Sequence, residues 1–77
     1  MKPTYSKQAE AYLGKQSAMQ GARIRKAIDN LPFGDIKKLR GIKNGYRLRV
    51  GKVRILFEQD GNKRHILTID NRGDVYK

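Results

Sequence analysis

Apolar and polar residues alternate along residues 45–60, and this period of two is typical of two β-strands joined in a hairpin. The pair Gly51-Lys52 predicts a two-residue type II′ turn, because glycine stands where the turn needs a positive φ. A turn at this point fixes the register and places six apolar side chains on one face, which we expect to be the core face. The facing pairs are Tyr46 with Phe57, Leu48 with Ile55, and Val50 with Val53.

The other face of the predicted hairpin carries three arginines. The register places Arg49 directly opposite Arg54, with Arg47 two residues along the first strand. Like charges directly opposite each other destabilise a sheet, and strand geometry brings the three guanidinium groups within about 10 Å. Because arginine is suited to bidentate binding of phosphate, this face is a candidate anion site. The alternative is a solvated basic face that only keeps an exposed sheet soluble.

Two helices are predicted before the hairpin. Ser6 is suited to N-cap a helix over about residues 7–16, and Ser17 with Gln20 fits a capping box that begins a second helix over about residues 18–30. Because the linker is short, we expect an antiparallel helical hairpin. The second helix carries an apolar stripe that should pack on the sheet, formed by Ile24, Ala27, Ile28 and Leu31. Its basic residues are expected on a solvated face, namely Arg23, Arg25 and Lys26.

The segments on either side of the helices are expected to join the sheet. Residues 2–5 predict a short edge strand, where Pro3 is tolerated. Residues 32–35 end the second helix with a proline and a glycine and turn the chain. Residues 36–44 have no clean hydrophobic period and enter the sheet as a strand or a loop.

A further strand is predicted over residues 63–69, and the length of the turn before it decides its register. A two-residue turn would face Ile66 to the core, whereas a three-residue turn would face Leu67 and Ile69 to it. The three-residue turn is favoured because it buries two large apolar side chains. His65 would then lie at the start of the strand, where a single histidine is more often structural than catalytic.

Composition limits the classes of function. The 77 residues predict one domain, and 18 Lys and Arg against 7 Asp and Glu give a net charge of +11, which implies a polyanion or an acidic protein as partner. The absence of cysteine and the single histidine exclude thiolate zinc sites and His-rich metal sites, so we expect no metal and no cofactor. No apolar run approaches a membrane span and the N-terminus lacks the apolar core of a signal peptide, so we expect a cytoplasmic protein without membrane contact.

Three segments together resemble the RelE/ParE superfamily of toxins from type II toxin–antitoxin systems. They are Leu39-Arg40-Gly41, residues 45–57 (GYRLRVGKVRILF) and residues 69–76 (IDNRGDVY), in order behind a short strand and two helices. The resemblance covers essentially the whole chain and implies one RelE-like domain over residues 1–77. Its fold would be α+β, with a two-helix hairpin packed on a small, twisted, mainly antiparallel sheet in the order βααβββ.

The resemblance also implies an activity. RelE-type members are ribosome-dependent mRNA endonucleases, or mRNA interferases, that cut the codon in the A site without a metal and so inhibit translation. The 2′-hydroxyl attacks the adjacent phosphate and leaves a cyclic phosphate and a free 5′-hydroxyl. We therefore expect a bacterial toxin whose partners are the ribosome, mRNA and a cognate acidic antitoxin.

The resemblance implies roles for five residues. Arg47, Arg54 and Arg72 would stabilise charge on the scissile phosphate, and Tyr76 would stack on or orient a base. Arg49 stands where RelE has a lysine assigned as general base, and an arginine that stays protonated can act there only through its charge. Further basic residues are expected to bind RNA, namely Lys37, Lys38, Arg40, Lys43 and Lys52.

A second departure concerns the acid and base of the reaction. Asn71, after Asp70, stands where many relatives carry histidine, which leaves His65 and Glu58 as candidates for proton transfer. Two other functions stay open. One is inhibition of DNA gyrase, as in ParE-type members, although these generally lack the clustered basic residues and the terminal tyrosine. The other is a basic binding module without catalytic activity.

Overall fold

A computed structural model describes residues 2–71, which form two helices and one five-stranded sheet. In chain order the elements are β1 (Thr4–Tyr5), α1 (Lys7–Gly14), α2 (Ala18–Asp29), β2 (Asp35–Lys38), β3 (Gly45–Val50), β4 (Val53–Asp60) and β5 (Lys63–Asp70). The strands lie in the order β1-β5-β4-β3-β2. All neighbouring pairs are antiparallel except β1 with β5, which is parallel, so the α+β class expected from the sequence is confirmed.

The hairpin formed by β3 and β4 has the predicted register. Every predicted facing pair is present, including Arg49 opposite Arg54. Gly51 has a φ of 61°, while Lys52 has no positive φ, which is the combination that a type II′ turn requires. The apolar alternation of this stretch was therefore sufficient to place each side chain on its face of the sheet.

The structure has one strand more after the helices than the expected βααβββ order. Residues 35–38, which the sequence left open between a strand and a loop, form β2 and pair with β3 at the edge of the sheet. This strand is short, and Ile36 is its only residue that is not exposed. It therefore shows no clean hydrophobic period. Over residues 2–71 the observed order is βααββββ.

Both helices begin at the predicted caps. The Ser6 hydroxyl accepts a hydrogen bond from the backbone N–H of Ala9, and the Ser17 hydroxyl accepts one from the N–H of Gln20. Residues of both helices share one apolar core with the sheet, where Ile24 is fully buried. The other fully buried large side chains are Ile28, Leu48, Ile55, Ile66 and Ile69. None of the helices in the described part of the chain is long and apolar enough to cross a membrane.

The register of β5 differs from the predicted one. The turn has two residues, because Asp60 pairs with Lys63, so the expected three-residue turn was wrong. A β-bulge then shifts the pairing between Leu56 and Phe57, and Leu67 has no partner in the ladder. As a result Ile66 and Ile69, three residues apart, both face the core. Neither turn length alone could bury both isoleucines, whereas a two-residue turn followed by a bulge does so.

Candidate nucleic-acid interface

The sheet face away from the helices carries a row of four charged residues near the hairpin tip. Asp35, Arg49, Arg54 and Asp70 lie opposite one another on four neighbouring strands. The two arginines are in the middle and the two carboxylates are at the ends. The repulsion expected between the arginines is therefore offset within the sheet, and a basic face does not by itself require an external anion. The sequence did not predict the position of these carboxylates, because residues 36–44 were left open between a strand and a loop and the predicted register of β5 was wrong.

Arg47 is also held by a carboxylate. Its side chain is 6% exposed, and Nη2 donates a hydrogen bond to Asp35 Oδ1 at 3.1 Å. The second oxygen of Asp35 lies 3.9 Å from Arg49 Nε. Arg47 Nε is buried and has no hydrogen-bond partner among the residues that the structure describes. A buried donor without a partner is costly, so Arg47 keeps hydrogen-bonding capacity that its contact with Asp35 does not use.

A basic cavity lies at the tip of the hairpin. It has a volume of about 350 Å³ and is lined by Arg49, Gly51, Lys52, Arg54 and Asn71. The backbone of Gly51 closely approaches a further guanidinium, because a Cβ on this glycine would lie 3.3 Å from Arg23 Nη2. Arg49, Lys52 and Arg54 line one cavity, so they can make several charge-assisted hydrogen bonds to one phosphate group.

Arg23 is a residue of the candidate site that the sequence reasoning missed. It is exposed on α2, as expected, and it also lies beside the hairpin tip. It shares a second cavity, of about 420 Å³, with Gln16, Gln20 and Tyr12 on the helical side of the turn. Gln20 and Arg23, three residues apart, share a face of α2, and this spacing could have indicated a common site. Burial and the nearby carboxylate of Asp70 raise the pKa of Tyr12 above its usual value.

The expected RNA-binding residues divide among three places. Lys52 lies at the hairpin tip, while three others line a separate cavity of about 430 Å³ together with Arg47. We call this separate cavity the inner cavity, and its basic residues are Lys37, Lys38, Arg40 and Arg47. Lys43 lies elsewhere, in a cavity of about 600 Å³ at the other end of the sheet.

The two candidates for proton transfer are far along the sheet from the hairpin tip. His65 lies opposite Glu58, and both residues line the same cavity as Lys43. The ring Nδ1 of His65 is hydrogen-bonded to the hydroxyl of Thr4 at 2.6 Å, so this histidine ties β1 to β5. Arg72 and Tyr76, the remaining expected catalytic residues, lie outside the described residues. Residues 2–71 contain no group of three His, Asp or Glu side chains arranged to hold a metal ion.

Two solved structures resemble this chain over nearly its whole length. One is the RelB-RelE antitoxin-toxin complex from Methanococcus jannaschii, with 28% identity, a TM-score of 0.74, and coverage of 95% of this chain and 94% of that chain. The other is the archaeal RelE-RelB complex from Pyrococcus horikoshii OT3, with 23% identity, a TM-score of 0.76, and coverage of 96% and 99%. A sequence identity of 23% supports a similarity of fold only. No family model and no curated protein matches the sequence.

The chain is an α+β domain whose fold is similar to that of RelE proteins solved in complex with RelB. The resemblance read from the motifs is therefore confirmed, and the similar structures are RelE proteins. Both alignments span almost all of each RelE chain, which means that the likeness covers the whole domain and not a shared substructure.

Proposed function

We propose that this protein is the toxin of a type II toxin–antitoxin module and that it cleaves mRNA on the ribosome in the cytoplasm. The observation that carries this proposal is the pairing of Arg49 and Arg54 at the hairpin tip, where Lys52 and Arg23 add two more cations. The RelE proteins that it resembles come from antitoxin–toxin complexes. The proposed substrate is the phosphodiester backbone of single-stranded RNA.

RNA cleavage by attack of the 2′-oxygen requires stabilisation of the negative charge that develops on the phosphoryl oxygens. In the proposed reaction the 2′-oxygen forms a bond to phosphorus while the bond to the 5′-oxygen breaks. The 2′-hydroxyl loses its proton to a base and the departing 5′-oxygen gains one, giving a cyclic phosphate and a 5′-hydroxyl. Negative charge grows on the phosphoryl oxygens in between, and Arg49 and Arg54 are placed to stabilise it together.

An acidic antitoxin is the proposed regulatory partner. A net charge of +11 on a 77-residue chain favours association with an acidic segment and speeds the encounter electrostatically. An antitoxin that covered the hairpin tip would compete with RNA for the same guanidinium groups. Binding of antitoxin and binding of RNA should therefore exclude each other.

The proposal is tested by inducing expression in bacterial cells and measuring protein synthesis, reporter mRNA ends and plasmid supercoiling together. Wild type should stop incorporation of labelled methionine and create new mRNA ends within translated codons. Arg54→Gln should lower the cleavage rate by about 10²- to 10³-fold. Lys26→Gln, which removes one exposed positive charge from α2, is the matched control and should leave cleavage intact. Growth arrest with intact mRNA would contradict the proposal, and altered supercoiling would indicate gyrase as the target.

A second function is favoured by the ion pairs of the arginine face. Arg47 is already paired with Asp35, while His65 and Glu58 lie away from the tip. This arrangement suits a basic module that binds the ribosome or an antitoxin without cutting RNA. Cosedimentation of the protein with ribosomes, without new mRNA ends, would distinguish this function from the nuclease.

A further inference from the structure

Arg47 belongs to a different cavity from Arg49 and Arg54. The alternation of β3 places Arg47 and Arg49 on the same face, about 7 Å apart along the strand. Arg49 lines the cavity at the hairpin tip, whereas Arg47 lines the inner cavity, which it shares with no tip residue. Arg47, Arg49 and Arg54 therefore share one face of the sheet but line two separate cavities on it.

Among the described residues, basic side chains outnumber acidic ones around the inner cavity, where Asp35 pairs with Arg47. Lys37 lies directly opposite Arg47, and the rest of that row is completed by Leu56 and Thr68, so the row contains two cations and no carboxylate. The charged residues that line the cavity are all basic, and its apolar lining includes Leu39 and Leu56. Asp35 reaches Arg47 from the neighbouring row, but it is shared with Arg49. Asp35 is thus shared between Arg47 and Arg49. The row that contains Lys37 opposite Arg47 includes no acidic residue.

The buried donor of Arg47 indicates what the cavity can hold. The side chain is 6% exposed and Nε has no partner among the described residues. Guanidinium donors match the oxygens of a phosphate, and the lysines at the rim of the cavity can add point charges. The loop that carries Arg40 forms one wall and is exposed, so a ligand can enter from that side.

We propose that the inner cavity is a second phosphate-binding site, which holds a backbone phosphate of single-stranded RNA next to the phosphate at the hairpin tip. The identity of the ligand as RNA rests on the proposed function. Two anion sites along β3 set the direction in which the strand crosses the sheet. Asp35 lies between the sites and contacts the arginine of each, so occupation of either site changes the ion pairing at the other.

Inorganic phosphate is the first probe, because it tests the site without any cleavage. Phosphate is titrated into the protein while the arginine Nε–H signals are followed by NMR. We expect the Arg47 signal to shift, and we expect Lys37→Gln or Arg40→Gln to weaken its apparent affinity at least threefold. Lys26→Gln should leave the affinity unchanged. An Arg47 signal that does not move at saturating phosphate, while Arg49 or Arg54 responds, would overturn the second site.

A 2′-O-methyl oligonucleotide, which lacks the attacking hydroxyl, is the second probe. The slope of log affinity against log salt should fall by about one when Lys37 or Arg40 is replaced by glutamine. Lys26→Gln should leave that slope unchanged, and equal slopes for all variants would contradict the inference. A protein that binds phosphate at Arg47 but cuts no mRNA would retain this second site and lose the proposed nuclease. A protein that cuts mRNA but whose Arg47 signal does not shift with phosphate would retain the proposed nuclease and lose the second site.

Discussion

Asp35 accepts a hydrogen bond from Arg47 at 3.1 Å, and this ion pair joins β2 to the strand that carries the candidate site. The carboxylate also lies 3.9 Å from Arg49, so a single acid holds two guanidinium groups that would otherwise repel each other. The same contact reduces the positive potential that RNA would meet. Asp35 therefore stabilises the basic face and at the same time weakens its attraction for an anion.

Replacing Asp35 by asparagine should tighten RNA binding. The amide can still accept a hydrogen bond, but the negative charge that competes with phosphate is gone. One charge at contact distance in a largely solvated site is worth about 1 kcal/mol, or roughly fivefold in affinity, and the gain should shrink at high salt. Fluorescence anisotropy with a 2′-O-methyl oligonucleotide measures this change. Asp29→Asn on α2 alters net charge equally and should have a much smaller effect, and equal gains in both variants would show that only net charge matters.

The bulge in β5 predicts an uneven pattern of stability losses. Ile69 is fully buried opposite Ile55, so Ile69→Ala should lower the free energy of unfolding by about 2–5 kcal/mol. Leu67 is only partly buried and has no ladder partner, so Leu67→Ala should cost less than about 1.5 kcal/mol. Urea denaturation followed by circular dichroism gives both values. A larger loss for Leu67→Ala than for Ile69→Ala would contradict the observed register.

Two glycine substitutions should have opposite effects on stability. A Cβ on Gly45 would lie 2.6 Å from Ile42 Cγ2 and 2.9 Å from its Cβ, so the preceding loop must move. Gly45→Ala should therefore lower the free energy of unfolding by about 1–3 kcal/mol.

Gly14 is the contrasting position, because it ends α1 and a Cβ there would meet nothing within 4 Å. Gly14→Ala should raise the free energy of unfolding by about 0.4–1 kcal/mol, since alanine has less conformational freedom to lose on folding. Thermal melts of both variants against wild type are the measurement. A Gly45→Ala variant as stable as wild type would mean that the loop before β3 accommodates a side chain freely, and a loss for Gly14→Ala would contradict the second prediction.

Tyr5 should make the fold sensitive to alkali. Burial is the main cause that raises the pKa of Tyr5 above its usual value of 10.0, and Asp29 adds to it, while Arg25 over the ring opposes the shift. Because the folded state holds this proton more tightly than the unfolded state, the stabilisation is complete below about pH 10 and is lost as the pH rises through the folded value. Tyr5→Phe keeps the ring and removes the titration. Urea unfolding at several pH values above 9 should show a smaller loss for this variant, and identical pH profiles would contradict the prediction.

The hairpin and the helices were predictable because local patterns determine them. Alternation around Gly51 gave the register of β3 and β4, and the serine caps gave both helix starts. The bulge at Leu67 could not be predicted, since it depends on which residues of β5 the core can bury. The place of Arg23 was missed for a similar reason, because it depends on how α2 lies over the turn.

The basic residues of the candidate site were predictable from the sequence, whereas its acidic residues were not. The arginines follow from the hairpin pattern, whereas Asp35 and Asp70 reach the same row only through strands whose register was uncertain. The division of the arginines between two cavities also depends on the loop before β3. A one-dimensional pattern can place side chains on a face, but it cannot show which of them share a cavity.

The most direct test of the proposed nuclease is single-turnover cleavage of an mRNA bound to purified ribosomes with an empty A site, compared with the same mRNA free in solution. Wild type and Lys26→Gln should cut the ribosome-bound mRNA in the A-site codon and leave the free mRNA intact. Arg54→Gln should be slower by about 10²- to 10³-fold. Uncut mRNA on the ribosome, or a cleavage rate that Arg54→Gln does not change, would contradict the assignment of this hairpin as the site of RNA cleavage.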